Sequence, residues 1–194
     1  ALAIVVQCRN SVRSLEAGAL SIILCCISLC GLFGLVMVPP LAIWMLMATV
    51  LSWKVAKITT ATAVYQVVCD LLPLSLSASC LIGLPPQTSG LSSPGLLATL
   101  DTALHFLTTS VGPLGRALRP VGSWIVLLVV TATVLRLMLA WHRNPQERLR
   151  IAGLVCFLLS VGLLAGSIGW GRAGIGPNAG YANRYGLLAV PLVC

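Results

Sequence analysis

One glycine-rich stretch, GWGRAGIGPNAGYANRYG (residues 169–186), places two arginines and two tyrosines in a chain that carries little charge elsewhere. Guanidinium groups bind phosphate through paired hydrogen bonds, and tyrosine rings suit contacts with sugars or apolar chains at a membrane surface. The stretch therefore predicts a binding site for a phosphate-bearing lipid head group. Alternatively, it is a re-entry turn in which Arg and Tyr anchor the next helix. The four side chains are Arg172, Tyr181, Arg184 and Tyr185.

The same stretch contains the pattern GxGxxG, formed by Gly169, Gly171 and Gly174. This pattern binds dinucleotides only where it follows a strand and opens a helix. Here it follows an apolar run typical of a membrane helix. We therefore expect no nucleotide, and no other cofactor, at this position.

A second candidate site is an acidic residue within an apolar run. Asp70 lies deep in the run from 58 to about 82, and Thr62 and Gln66 precede it at spacings of four. These side chains, with Thr59 and Ser77, form a polar stripe along one helix face. A carboxylate at such a depth is costly and usually functional, so a proton relay or a polar substrate path is one interpretation. A helix–helix contact held by hydrogen bonds explains the same residues more simply and is the interpretation that the sequence favours.

Two further groups of residues could do chemistry but have simpler explanations. Asp101 and His105 are four residues apart, the spacing of an acid–base pair on a helix, and a solvated surface pair has the same spacing. Cys26 and Cys30 in CCISLC share a helix face, with no His or acid nearby. We expect packing and no metal site, because cysteine is an ordinary small apolar residue in buried helices.

Composition identifies the class of protein that carries these residues. Of its 194 residues, 58% are hydrophobic and 8% are charged, whereas soluble domains carry about 25% charge. The chain is therefore expected to be an integral membrane protein. Its net charge of +8 does not indicate nucleic-acid binding, because the basic residues form short clusters between apolar runs.

The fold class predicted from the apolar runs is an all-α polytopic transmembrane bundle, a single domain over residues 1–194. Runs of roughly 20 apolar residues are needed to cross a bilayer. About five complete spans are expected, with partial spans at both ends. A surface helix at about 95–111 carries leucines on one face, with Asp101 and His105 opposite. The spans are placed at about 17–38, 41–57, 58–82, 121–141 and 151–170.

Basic residues and tryptophans set the expected orientation. The loop WHRNPQERLR is placed on the cytoplasmic side because such loops carry more Lys and Arg. Alternation then gives seven basic residues inside and four outside, with Arg136 inside a span as a snorkelling residue or a partner of Asp70. If Pro39 and Pro40 kink one long helix instead of separating two spans, the segment before them changes side. All five tryptophans, Trp44, Trp53, Trp124, Trp141 and Trp170, are placed near span ends.

The two ends of the sequence suggest an internal piece of a larger polytopic protein. The chain opens within the apolar run ALAIVVQC and closes on YGLLAVPLVC, which is too short to cross a bilayer. No signal-peptide pattern is recognised at either end.

The second half of the chain resembles a group of uncharacterised bacterial polytopic membrane proteins. The likeness rests on GWGRAGIGPNAGYANRYGLLAVPLVC and on the preceding WHRNPQERLR, and it extends back through LLATLDTALHFL to about residue 96. In that group a Gly-Arg-Ala-Gly stretch is followed by an Arg-Tyr pair that opens the next helix. The resemblance implies a multi-pass protein of the bacterial inner membrane.

A looser likeness is to polytopic glycosyltransferases that use polyprenyl-phosphate sugar donors. Their late outer loops end in Arg-Tyr, then Leu, then Pro, which Arg184, Tyr185, Leu187 or Leu188, and Pro191 match. Those enzymes also need an acidic residue in an early outer loop, and this sequence contains no such loop. No catalytic residue can therefore be assigned.

Three functions remain as hypotheses. The first is the handling of a lipid-linked glycan or anionic envelope lipid at the outer face, with a polyprenyl-phosphate or glycolipid as partner. The second is a transporter with a polar path around Asp70. The third is a membrane scaffold without catalytic activity. The sequence identifies no protein partner.

Overall fold

A computed structural model describes residues 13–29, 32–55, 58–83, 95–108 and 121–172. The described residues form helices and contain no strand, so the predicted all-α class is confirmed. A 3-10 turn, Pro145–Glu147, separates the last two of the described helices. The helices are α1 (Ser14–Leu29), α2 (Leu32–Lys54), α3 (Thr60–Gly83), α4 (Leu96–Thr108), α5 (Val121–Arg143) and α6 (Arg148–Arg172).

Four of the described helical segments are long and apolar enough to cross a membrane. They are Gly34–Lys54, Thr60–Ile82, Val121–Arg143 and Pro145–Arg172. Two shorter apolar helices, α1 and α4, have 16 and 13 residues. The chain is therefore a multi-pass membrane protein, with one long helix fewer in its described part than the five spans expected.

The difference arises at the double proline. Pro39 and Pro40 lie inside α2, so the predicted helix end at this point is wrong, and the predicted span 17–38 divides between α1 and α2. Proline in a helix interior removes a backbone hydrogen bond. Membrane helices tolerate this loss because neighbouring helices and local adjustments satisfy the freed groups.

Contacts divide the chain into two compact units. The first comprises residues 1–86 and 137–160, and within its described part α1, α2 and α3 pack against one another. Ser21 and Ser28 of α1 bond to Cys69 and Ser77 of α3 in the same order along both helices. Helices α1 and α3 are therefore parallel, as expected if α2 returns between them.

Small side chains allow this close packing. A Cβ atom at Gly18 would lie 3.0 Å from the Tyr65 hydroxyl, and one at Gly34 would overlap the Ile27 carbonyl oxygen. Membrane helices commonly associate through small residues, which let the backbones approach each other. Because α1 and α2 form a hairpin, Arg13 and Lys54 lie at the same end of this unit, as the charge distribution suggested.

Trp44 is an exception among the tryptophans. It lies in the middle of α2, is fully buried, and donates a hydrogen bond from Nε1 to the Leu149 carbonyl at 2.9 Å. The prediction that it marks a membrane–water boundary is therefore wrong. A buried indole needs an acceptor for its N–H. Here the Leu149 carbonyl is that acceptor, in place of the polar groups at a membrane surface.

The second unit comprises residues 87–136 and 161–194. In its described part, α4 packs on the last turn of α6. A Cβ atom at Gly169 would be 3.1 Å from the Ala103 Cβ and would overlap the Thr99 carbonyl oxygen. The side of α4 that faces the protein therefore consists of small and hydroxyl residues together with the fully buried Phe106, and its first leucines remain exposed.

Candidate functional site

Asp70 lies at the centre of the membrane-crossing part of α3. It is ten residues from Thr60 and twelve from Ile82, the ends of the span, or about 15 Å from the nearer end at 1.5 Å per residue. The residue is 0% exposed. Its single methylene group cannot carry the carboxyl to either membrane surface, so the protein interior must accommodate it.

The two carboxyl oxygens of Asp70 have different surroundings. Thr49 of α2, also buried, donates its hydroxyl hydrogen to Oδ2 at 2.9 Å. The other oxygen, Oδ1, is buried and has no hydrogen-bond partner within the part of the chain that the structure describes. Buried polar atoms are nearly always satisfied, and a carboxyl oxygen in this position can be satisfied by a water molecule, a proton or a cation.

Further buried polar residues lie one turn away on each of the two helices. Gln66 precedes Asp70 by four residues, and Ser52 follows Thr49 by three, so each shares a helix face with its neighbour. Both are buried. Because α2 and α3 run in opposite directions, Ser52 and Gln66 lie towards the same end of the helix pair. The predicted polar stripe therefore faces the protein interior at Gln66 and Asp70.

Thr62 does not belong to this buried group. Its hydroxyl lies 2.9 Å from that of Thr59, and its backbone N–H donates to the Thr59 hydroxyl oxygen at 3.3 Å. Both bonds are solvent-exposed and lie at the start of α3. A threonine side chain before a helix commonly satisfies the free N–H groups of its first turn. Thr62 thus contributes to the helix cap and lies outside the site around Asp70.

A serine ladder links α1 to α3 on either side of Asp70. The Ser21 hydroxyl donates to the Cys69 carbonyl oxygen at 2.6 Å, and the Ser28 and Ser77 hydroxyls lie 2.9 Å apart. Sequence reasoning identified Ser77 but missed Ser21 and Ser28, as well as Thr49 and Ser52. The signal was present in α1, because Ser21 and Ser28 are seven residues apart and so occupy one face.

No basic side chain pairs with Asp70 among the described residues. Ion pairs there include Asp101–His105, with Oδ2 and Nδ1 3.5 Å apart, and Glu147–Arg150 at 2.9 Å. Arg136, considered as a partner from the sequence, is exposed on α5. Without a counter-charge, a carboxyl at this depth is expected to be neutral or to hold a bound cation.

The glycine-rich stretch lies largely outside the described residues. Arg172 is the last residue of α6 and is partly exposed, whereas Tyr181, Arg184 and Tyr185 belong to the part that is not described. Whether the four side chains come together therefore stays a prediction. Of the CCISLC motif, Cys26 is an exposed free thiol, and Cys30 is outside the described residues.

The geometry around Asp70 is accordingly the most complete candidate site. It combines a buried carboxyl, a hydroxyl donor from a second helix, and hydroxyl and amide groups one turn away. Comparison of the chain with protein-family models, with curated proteins and with solved structures finds no match.

Proposed function

We propose that this multi-pass protein transports a small polar substrate across the membrane and that Asp70 couples the movement to protons. The observation that carries the proposal is the carboxyl at the centre of a span, with Oδ2 held by Thr49 and Oδ1 unpaired in the described structure. Intramembrane carboxyls commonly serve as proton relays in pumps and transporters.

The proposed cycle has two charge states. While the site is closed to water, Asp70 carries a proton on Oδ1. The neutral acid is tolerated by an apolar interior. When water reaches the site from one side of the membrane, the O–H bond of Asp70 breaks and the proton passes to water. The carboxylate that is left stays hydrogen-bonded to the Thr49 hydroxyl. A proton from the other side restores the acid. Such a cycle requires an energised membrane, in keeping with the bacterial inner membrane implied by the sequence resemblance.

A scaffold role explains the site less well. A carboxyl that serves only to join helices gains most when both oxygens are hydrogen-bonded, because a half-satisfied buried polar network costs stability. Handling of a lipid-linked glycan remains a sequence-based hypothesis. It predicts that a phosphate-bearing lipid co-purifies with the protein and is lost when Arg172 and Arg184 are both replaced by alanine.

The first experiment tests whether Asp70 is protonated within the membrane. Dicyclohexylcarbodiimide partitions into lipid and adds to protonated carboxyls, forming a stable N-acylurea. The full-length protein in nanodiscs should be modified at Asp70, as read by peptide mass spectrometry, and the modification should fall as pH rises. Asp70→Asn should abolish this adduct, and Asp101→Asn, which changes an exposed acid, should leave it unchanged.

Transport itself is tested in proteoliposomes containing a pH-sensitive dye. Classes of small polar solutes are added outside, and an active class should cause proton movement that Asp70→Asn eliminates and Asp101→Asn retains. Failure of Asp70 to react in the folded protein would overturn the proton site. Labelling at Asp70 combined with equal proton movement in wild type and Asp70→Asn would overturn the coupling role.

A further inference from the structure

Helix α4 has three faces of different character. Its first leucines are strongly exposed, with Leu96 at 74%, Leu97 at 85% and Leu100 at 57%. A second face is buried against the protein and comprises Thr99, Thr102, Ala103 and Phe106. The third carries Asp101, whose side chain is exposed, and its partner His105. At 100° per residue, these three groups of residues occupy separate sectors around the helix, and the leucine face adjoins both the buried face and the Asp101 face.

The contact with α6 gives the level of α4 relative to the membrane. Thr99 and Ala103 meet Gly169, which is three residues before the end of α6 at Arg172. Three residues of helix correspond to about 4.5 Å, so α4 lies against the last turn of a membrane-crossing helix. The adjacent Trp170 is 63% exposed, and exposed tryptophans concentrate at the membrane–water boundary.

We infer that α4 lies in the membrane–water boundary and that Leu96, Leu97 and Leu100 insert among the acyl chains of the same bilayer. Its 13 residues span about 20 Å, too short to cross. The helix must place leucines in an apolar medium while Asp101, one residue after Leu100, stays in water. A bilayer boundary supplies both surroundings to one helix.

A second protein molecule fits these residues less well. The centres of protein interfaces are depleted in charged residues, and Asp101 directly adjoins the leucine face. The tryptophan beside the contact at Gly169 also favours a lipid boundary. With α4 held at this level, its contact with Gly169 fixes how far the end of α6 emerges from the bilayer.

Nitroxide labels test the inference on the full-length protein in lipid nanodiscs. One label replaces Leu97, another replaces Asp101, and a control label replaces Leu163, an exposed residue within the α6 span. Collisions with dissolved oxygen report lipid, and collisions with a water-soluble nickel chelate report water. The label at 97 should resemble the lipid control, with several-fold more oxygen than nickel contact, and the label at 101 should show the reverse.

Two outcomes would overturn the inference. Nickel contact at both positions would place the leucine face in water. An immobile label at 97 that neither reagent reaches would show that another protein molecule covers the face. A label at Leu96 repeats the measurement if the variant at 97 does not fold, as judged by size-exclusion chromatography.

Discussion

Asp70 and Arg136 both place an ionisable group within a membrane-crossing helix, yet their surroundings are opposite. Asp70 is fully buried among α1, α2 and α3. Arg136 is exposed on α5, of whose apolar window only 6% is buried, against 22% for the window in α3, the helix that carries Asp70. One group is accommodated by protein, and the other projects from an almost uncovered helix.

The contrast follows from the length of the side chain. Arg136 is seven residues from the end of α5 at Arg143, about 10 Å along the axis, and a long flexible side chain shortens that distance by snorkelling. Aspartate has no such reach and needs a hydrogen-bond donor close by. The position of a charged residue within a span is therefore informative about function at Asp70, which is buried, and much less so at Arg136, which is exposed.

The largest expected stability effect comes from removing the hydroxyl that holds Asp70. Thr49→Val keeps the side-chain shape but leaves Oδ2 without its donor, which should cost about 1–3 kcal/mol of unfolding free energy. The measurement is SDS-induced unfolding in mixed micelles. Thr49→Ser, which retains the donor, should stay close to wild type. Equal stability of the Val and Ser variants would mean that the bond is unimportant.

Two glycine substitutions compare the close contact between α1 and α2 with a position on α6 that has no neighbouring atoms. Gly34→Ala introduces a methyl group where the Ile27 carbonyl oxygen lies, and such overpacking costs about 1–3 kcal/mol. Gly166→Ala places the same group where nothing lies within 4 Å, so it should be neutral or stabilise α6 by up to about 1 kcal/mol. The same unfolding assay measures both, and a Gly34 variant as stable as the Gly166 variant would contradict the close approach of α1 and α2.

The smallest effect is expected at Arg136. Arg136→Met removes the charge from an exposed position on α5, so unfolding free energy should change by no more than about 0.5 kcal/mol. Carbodiimide labelling of Asp70 should be unaffected. A large loss of stability, or a change in that labelling, would show that Arg136 has a protein partner and would weaken the contrast with Asp70.

Sequence patterns were sufficient for the helical class and for the long apolar helices, because apolar runs and helical spacing depend only on local order. They failed at Pro39 and Pro40, since the cost of proline depends on what surrounds the helix. The prediction for Trp44 was wrong for the same reason, because the acceptor of its N–H, the Leu149 carbonyl, is 105 residues away in the sequence. Asp70 stood out by its depth alone, but its donor Thr49 is an ordinary hydroxyl residue whose importance arises only when α2 meets α3.

The serine ladder between α1 and α3 has a mechanical consequence. Ser21 and Ser28 are two helical turns apart, about 10 Å, so α1 cannot slide or roll on α3 without breaking both bonds. Neither bond involves the carboxyl. Thr49, in contrast, donates to the Asp70 carboxyl itself, so under the proposed proton cycle the strength of this one attachment of α2 would vary with the charge of Asp70. Helices α1 and α3 are therefore held in register by bonds that do not depend on Asp70, and the Thr49–Asp70 bond attaches α2 to the same pair.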